Sequence, residues 1–172
     1  INAVRIPVGH WIFGPPYPYH ERYGADPHPY VEGGIDVLDR ALDQAAEHGL
    51  RVVLDLHAAP GCQNGFDNGG MLDVCEWHTR EDYLAHSVDL LGRLAARYAE
   101  HSSLHAIQVL NEPRWDIPTD LLKAYYRGAY DAIRAHCGPE QVAVVFHDGF
   151  RPQGEYAGFF QPPDFENVLY DV

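Results

Sequence analysis

The residues best suited to chemistry stand together at Asn111-Glu112-Pro113. An apolar run, Ala106 to Leu110, leads into them, so a strand is expected to deliver a carboxylate at its C-terminal end. Pro113 has no N–H with which to continue a ladder, and it stiffens the turn that follows. A carboxyl kept protonated by burial or by a second carboxylate can give its proton to a glycosidic oxygen. The Asn111 amide can bond a sugar hydroxyl. Arg5, His57 and His147-Asp148 fall in or just beyond three other apolar runs. A guanidinium beside a carboxylate favours its ionised form, and an imidazole can bond a hydroxyl or a metal. Each residue also has a plainer role. Glu112 could belong to an ordinary turn, Arg5 could pair a carboxylate in the interior, and His57 and His147 could be satisfied core histidines.

The elements that position these residues follow from hydrophobic patterning. Strands are expected at Ala3 to Val8, Leu50 to His57, Ala106 to Asn111 and Val142 to His147, with a fifth beginning at Val168. Helical stripes occupy Val37 to His48, Arg80 to His101 and Leu121 to His136, the first stopped by Gly49. Such alternation means βαβ units and a parallel sheet. The fold class is α/β. Polar residues gathered at several strand ends favour a partial (β/α)8 TIM barrel over a doubly wound sheet. No strand is followed by a glycine-rich phosphate loop. Two long connections, Gly9 to Gly34 and Ala58 to Thr79, follow strands and so belong on the catalytic face.

A formal net charge of −13 repels phosphate backbones and anionic lipid headgroups, so neither nucleic acid nor membrane is an expected partner. A neutral sugar meets no such repulsion. No apolar run is long enough to span a bilayer, the first residues read as a core strand and not a signal peptide, and no compartment is assigned. Of the three cysteines, Cys62 and Cys75 could pair across a loop, and the spacing fits no zinc motif. His20 and His28, with Glu21 and Asp26, match no regular ligand pattern, so their loop is expected to be solvated. Asp55, on the same strand face as His57, is expected to be a buried hydrogen-bond partner. His10 and Trp11 open the first loop, and Glu76-Trp77-His78 carries no clear chemical reading.

In order along the chain, Val4-Arg5-Ile6-Pro7, Asp55-Leu56-His57-Ala58-Ala59-Pro60-Gly61, Gln63 to Gly70, Asn111-Glu112-Pro113 and His147-Asp148-Gly149-Phe150 resemble glycoside hydrolase family 5, the cellulase-like family. The Gln63 to Gly70 loop and the His147 block are similar to the family's exo-β-1,3-glucanase branch. The resemblance implies roughly strands two to six of the barrel and a retaining hydrolase of β-glucosidic bonds in a β-glucan. It implies Glu112 as acid/base, with Asn111 bonding the hydroxyl next to the reacting carbon. Arg5 would hold the nucleophile ionised. His57, Asp67 and Asn68 would bond hydroxyls of the sugar at the cleavage subsite. Phe66 and Phe150 would form an aromatic entrance for the next sugar, and Asp148 joins the substrate-binding set. The implied partner is a β-glucan oligo- or polysaccharide, with no metal, no organic cofactor and no obligate protein partner.

A retaining glycosidase needs a second carboxylate about 5–5.5 Å from the first. The family carries it at the end of strand seven, and this sequence reaches only what resembles strand six. Residues 1–172 are therefore expected to form a single incomplete barrel domain, without strand one or the region after strand six. Alone, they are expected not to complete the reaction. Two other functions are compatible with the residues. One is an inactive half-barrel that binds carbohydrate through Phe66, Phe150, His57 and Asn111. The other is a metal-dependent hydrolase built on His57, His147 and Asp148.

Overall fold

Strands form where nearly continuous apolar runs can be covered on both faces. In the computed structural model, which describes residues 1–172 apart from the side chain of Gln153, these are β1 (Ala3–Gly9), β2 (Arg51–Ala58), β3 (Leu104–Gln108), β4 (Ala143–His147) and β5 (Val168–Asp171). The helices are α1 (Gly34–Glu47), α2 (Glu81–Tyr98) and α3 (Thr119–Arg134). All pairings are parallel, and the strands lie side by side in chain order, β1-β2-β3-β4-β5. A doubly wound sheet reverses its order at a switch point. Here the order never reverses, which is the order of a barrel wall. The fold is a partial (β/α)8 barrel.

The expected elements are all present with shifted ends. Helix α1 begins three residues early, because Ile35 already packs against the core. It stops as expected. Leu50 N–H bonds the Ala45 carbonyl, Gly49 N–H bonds that of Ala46, and Gly49 takes a φ of 66° that suits glycine. Helix α2 ends at Tyr98, the last of its side chains buried in the core, and His101 N–H turns back to the Tyr98 carbonyl. Among the described residues no α-helix joins β4 to β5. A loop with a 3₁₀ turn at Gln153–Tyr156 makes that crossover.

Each strand has two different faces. Val52, Leu54, Leu56, Ile107, Val144 and Phe146 point toward the helices and share one core with Leu90, Leu91 and Leu94 of α2 and Leu122, Tyr126 and Ile133 of α3. Burying a side chain of this size contributes about 1.5–3 kcal/mol. The opposite parity carries Arg5, Asp55, His57, Gln108 and His147, with a small apolar patch of Val53, Ala106, Ala143 and Val145. Alternation along each strand thus separates stability from chemistry: one face holds the helices, the other collects polar groups on the concave side.

The first long loop is solvated at Glu21 and Asp26, as expected, but not at His20. His20 is buried, accepting a hydrogen bond from Arg22 N–H at Nδ1, with Nε2 3.4 Å from Glu76. The loop folds onto aromatic neighbours, which shield this histidine from water. His10, at the loop's start, is packed edge-on to Trp11, Tyr17, Tyr30 and His86. Burial, and then the neighbouring His86, push its imidazole down to about 3. The folded protein therefore keeps His10 neutral while the unfolded chain takes up a proton near the ordinary histidine value. Stability contributed by the neutral ring is complete above that value and is lost as pH falls toward about 3. His10→Gln is expected to flatten the fall in stability between about pH 7 and about pH 5 by up to ~1.4 kcal/mol per pH unit. Paired denaturation curves measure this, and equal slopes for the two proteins would contradict it.

Gly61 sets the bend after β2. Its φ is 68°, and a Cβ there would lie 2.3 Å from Cε2 of buried Tyr83. Gly61→Ala combines backbone strain with overpacking and is expected to lower stability by roughly 3 kcal/mol. Urea denaturation reads it, and a change under about 1 kcal/mol would show that the bend relaxes freely.

Candidate active site

The carboxylate of interest leaves the sheet under tight control. Beyond β3, Val109 N–H still bonds the Val145 carbonyl of β4, and Asn111 N–H bonds the Leu56 carbonyl of β2. The backbone then turns sharply, and Glu112 takes a φ of 43°. A non-glycine residue in this left-handed region is held there by its surroundings, and such residues concentrate at functional sites. Gln63, which the sequence placed in a loop without a role, supplies much of the hold. Its buried amide donates to the carbonyls of His57 (2.9 Å) and Asn111 (2.8 Å) and accepts from Ala59 N–H (3.1 Å). Glu112 itself is half-buried.

A polar chain runs across the concave face beneath it. His57 Nδ1 donates to Asp55 Oδ2 at 2.7 Å, and Arg5 Nη2 reaches the same oxygen at 3.0 Å. Arg5 also donates to Asn111 Oδ1 at 2.8 Å and stands 3.9 Å from Asp171, which accepts from Gln108 at 2.7 Å. Burial pushes the Asp55 carboxyl above its usual range, against the pull of His57 and Arg5. These bonds fix orientations. With Nδ1 protonated toward Asp55, His57 offers Nε2 as an acceptor. With Oδ1 occupied by Arg5, Asn111 turns its NH₂ outward as a donor. Asp55 is the buried partner expected of it. Asp171 and Gln108 were not singled out in the sequence, because only the sheet order brings them to Arg5.

The loops after β2 and β4 supply the rest. Asp67 is exposed and Phe66 is 52% exposed, beside a 3₁₀ turn at Asp67–Gly69. Asn68 is placed differently from a simple sugar ligand: its amide donates to the His57 carbonyl, and its Oδ1 is buried without a protein partner. The three cysteines are free thiols, and Cys62 shapes this loop, its Sγ lying 3.4 Å from Asn64 Oδ1 and 3.6 Å from the Phe66 carbonyl oxygen and accepting from Gly65 N–H. After β4, Asp148 accepts from Phe150 N–H at 2.7 Å and sets Phe150 at a φ of 58°, with its ring 60% exposed. Asp148 thus acts on the loop's shape.

His147 Nδ1 accepts from Gly149 N–H at 2.9 Å, so its proton sits on Nε2, and its ring meets Phe150 edge-on. Among the described residues no three His, Cys, Asp or Glu side chains cluster as metal donors. The structure therefore links Arg5 to Asn111 and, through Asp55, to His57, with Glu112 next to Asn111 where the chain leaves β3 and Phe66 and Phe150 exposed in the loops after β2 and β4. Among the described residues His57, His147 and Asp148 do not come together as a set of metal donors.

Residues 1–172 match the family described as Cellulase (glycosyl hydrolase family 5). Similar curated proteins include a probable glucan 1,3-beta-glucosidase A of Aspergillus terreus, 39% identical over 99% of this chain and 38% of that protein. A glucan 1,3-beta-glucosidase of Blumeria graminis is 35% identical over 100% of this chain and 38% of that protein. The chain thus spans little more than a third of the length of these relatives. Among solved structures, a rutinosidase from Aspergillus niger superposes with a TM-score of 0.80 at 18% identity, covering 100% of this chain and 50% of that one. An endoglucanase from Pseudomonas stutzeri gives a TM-score of 0.63 at 22% identity, covering 99% and 48%.

Proposed function

The chain belongs to glycosyl hydrolase family 5, and from that premise we propose that the full-length protein is a retaining hydrolase of β-glucosidic bonds in a β-glucan, exo-acting on β-1,3 linkages. The observation that carries this reading is Glu112, held at a φ of 43° where β3 leaves the sheet, with Asn111 and Arg5 bonded beside it. In this mechanism Glu112 protonates the departing sugar oxygen while a second carboxylate attacks the anomeric carbon. Glu112 then takes a proton from water, which displaces the enzyme from the sugar with a second inversion. The outward NH₂ of Asn111 donates to the hydroxyl beside the reacting carbon, and His57 Nε2 accepts from another. Arg5 lowers the energy of nearby negative charge. The curated relatives are named for the 1,3 linkage, which supports that choice.

Five parallel strands do not close an eight-stranded wall. We assign the domain as residues 1–172 of a larger barrel, with the attacking carboxylate supplied from outside them. The test is proton NMR of laminari-oligosaccharide hydrolysis by the full-length protein. A β-anomer appearing first supports the reading. An α-anomer first, or sugar binding with no turnover, overturns it, the latter in favour of a carbohydrate-binding half-barrel.

A further inference from the structure

A third large aromatic opens to solvent on the same face. Trp115 is 69% exposed, in the turn between Glu112 and α3. That turn is a built structure. Arg114 N–H bonds the Gln63 carbonyl at 3.0 Å, tying it to the loop that carries Phe66. Arg151, next to Phe150, donates to the Ile117 carbonyl and to Thr119 Oγ1, tying it to the loop after β4. Gly149 lies so close that a Cβ there would stand 3.2 Å from the Pro113 carbonyl oxygen. Ile117 N–H closes the turn onto the Arg114 carbonyl, and Ile117 is buried as its anchor. An ion pair of 2.5 Å between Arg114 and Asp116 clasps the two residues flanking the indole. The three loops that bear Phe66, Trp115 and Phe150 therefore meet around Glu112.

The other two tryptophans are engaged: Trp77 is fully buried, and Trp11 stacks on Tyr30 at 3.7 Å. Among the described residues no ring packs on Trp115. A large apolar face on a rigid turn, with flanking charges that cancel, suits the C–H face of a neutral pyranose. The loops that border it in the barrel, after β2 and β4, are both present and leave it open.

We propose that Trp115 is the stacking platform for a sugar ring on the leaving-group side of the bond, one ring beyond that gripped by Phe66 and Phe150. This deepens the reading of the site as a β-glucan hydrolase and rests on it for the identity of the sugar. Glu112 gives its proton to the departing sugar, and Trp115 follows it in the same turn, so the chain that departs runs over the indole.

The test uses the full-length protein labelled with 5-fluorotryptophan, the Trp115 resonance being the one missing from Trp115→Phe. Laminaritetraose is expected to shift that fluorine signal and laminaribiose to leave it in place. In parallel, Trp115→Ala is expected to lower the ratio of kcat/KM for tetraose over biose by about fivefold to tenfold, with Trp115→Phe recovering most of it. An unmoved fluorine signal, or an unchanged ratio in an active enzyme, overturns the proposal. Equal shifts with biose and tetraose overturn its placement beyond the first ring. If no β-glucoside is hydrolysed but tetraose still shifts the signal, the platform stands and the hydrolase reading falls.

Discussion

Glu112→Gln in the full-length protein is expected to lower kcat/KM on laminari-oligosaccharides by about a thousandfold, the scale of a lost general acid and base. The substitution keeps the side chain's size and its place after β3, so the fold and sugar binding should persist. What goes is the proton that an alkoxide leaving group requires. An aryl glucoside with an acidic phenol needs little protonation to depart, so its first step should survive better. Its glycosyl-enzyme would then accumulate, since water is no longer activated. Added azide, which needs no general base, should restore turnover on that substrate and release a β-glucosyl azide. Activity within about tenfold of wild type on the oligosaccharides would remove Glu112 from the mechanism.

The largest expected effect on stability comes from Trp77. Its side chain is fully buried beneath the catalytic-face loops, its indole N–H donates to Ser87 Oγ at 3.1 Å, and its ring meets Tyr125 edge-on at 4.7 Å. Trp77 N–H also bonds the Cys62 carbonyl, so the residue joins the Phe66 loop to the α2–α3 layer. Trp77→Ala leaves a cavity where no other side chain can follow, and about 4 kcal/mol of stability should be lost. Trp77→Phe fills part of the space but leaves the Ser87 hydroxyl without its donor, and should lose about half as much. Chemical denaturation of the three proteins gives the order. A loss under about 1 kcal/mol in Trp77→Ala would mean that the loop layer is not part of the cooperative unit.

Much of this architecture was legible because the strands read as nearly continuous apolar runs. Val52, Leu54 and Leu56 meet the helices while Asp55 and His57 turn inward, so the run around them reads as a strand with polar inserts. The turn at Asn111-Glu112-Pro113 was legible because a proline just after a strand marks where the chain must leave the sheet. Other parts were hidden for physical reasons. Gln63 acts by reaching the Asn111 carbonyl, 48 residues away, and no local pattern records such a bond. Gln108 and Asp171 gain their place from strand order alone, 63 residues separating them. His20 lies in a loop of turn-forming residues, where burial comes from tertiary packing that periodicity does not report. Trp77 and Trp115 carry the same side chain in loops of similar composition. One fills the core and the other faces water, a difference decided by which neighbours the folded loops bring.

The most direct test is covalent. The full-length protein should be treated with an activated 2-deoxy-2-fluoro-β-glucoside, which slows hydrolysis of the glycosyl-enzyme enough for the labelled residue to be mapped by mass spectrometry. A single fluoroglucosyl ester on a carboxylate outside residues 1–172, with Glu112 unlabelled, is the expected result. It would identify the attacking group and leave Glu112 as acid and base. A label on Glu112, or on any other carboxylate within these residues, would contradict that division of roles.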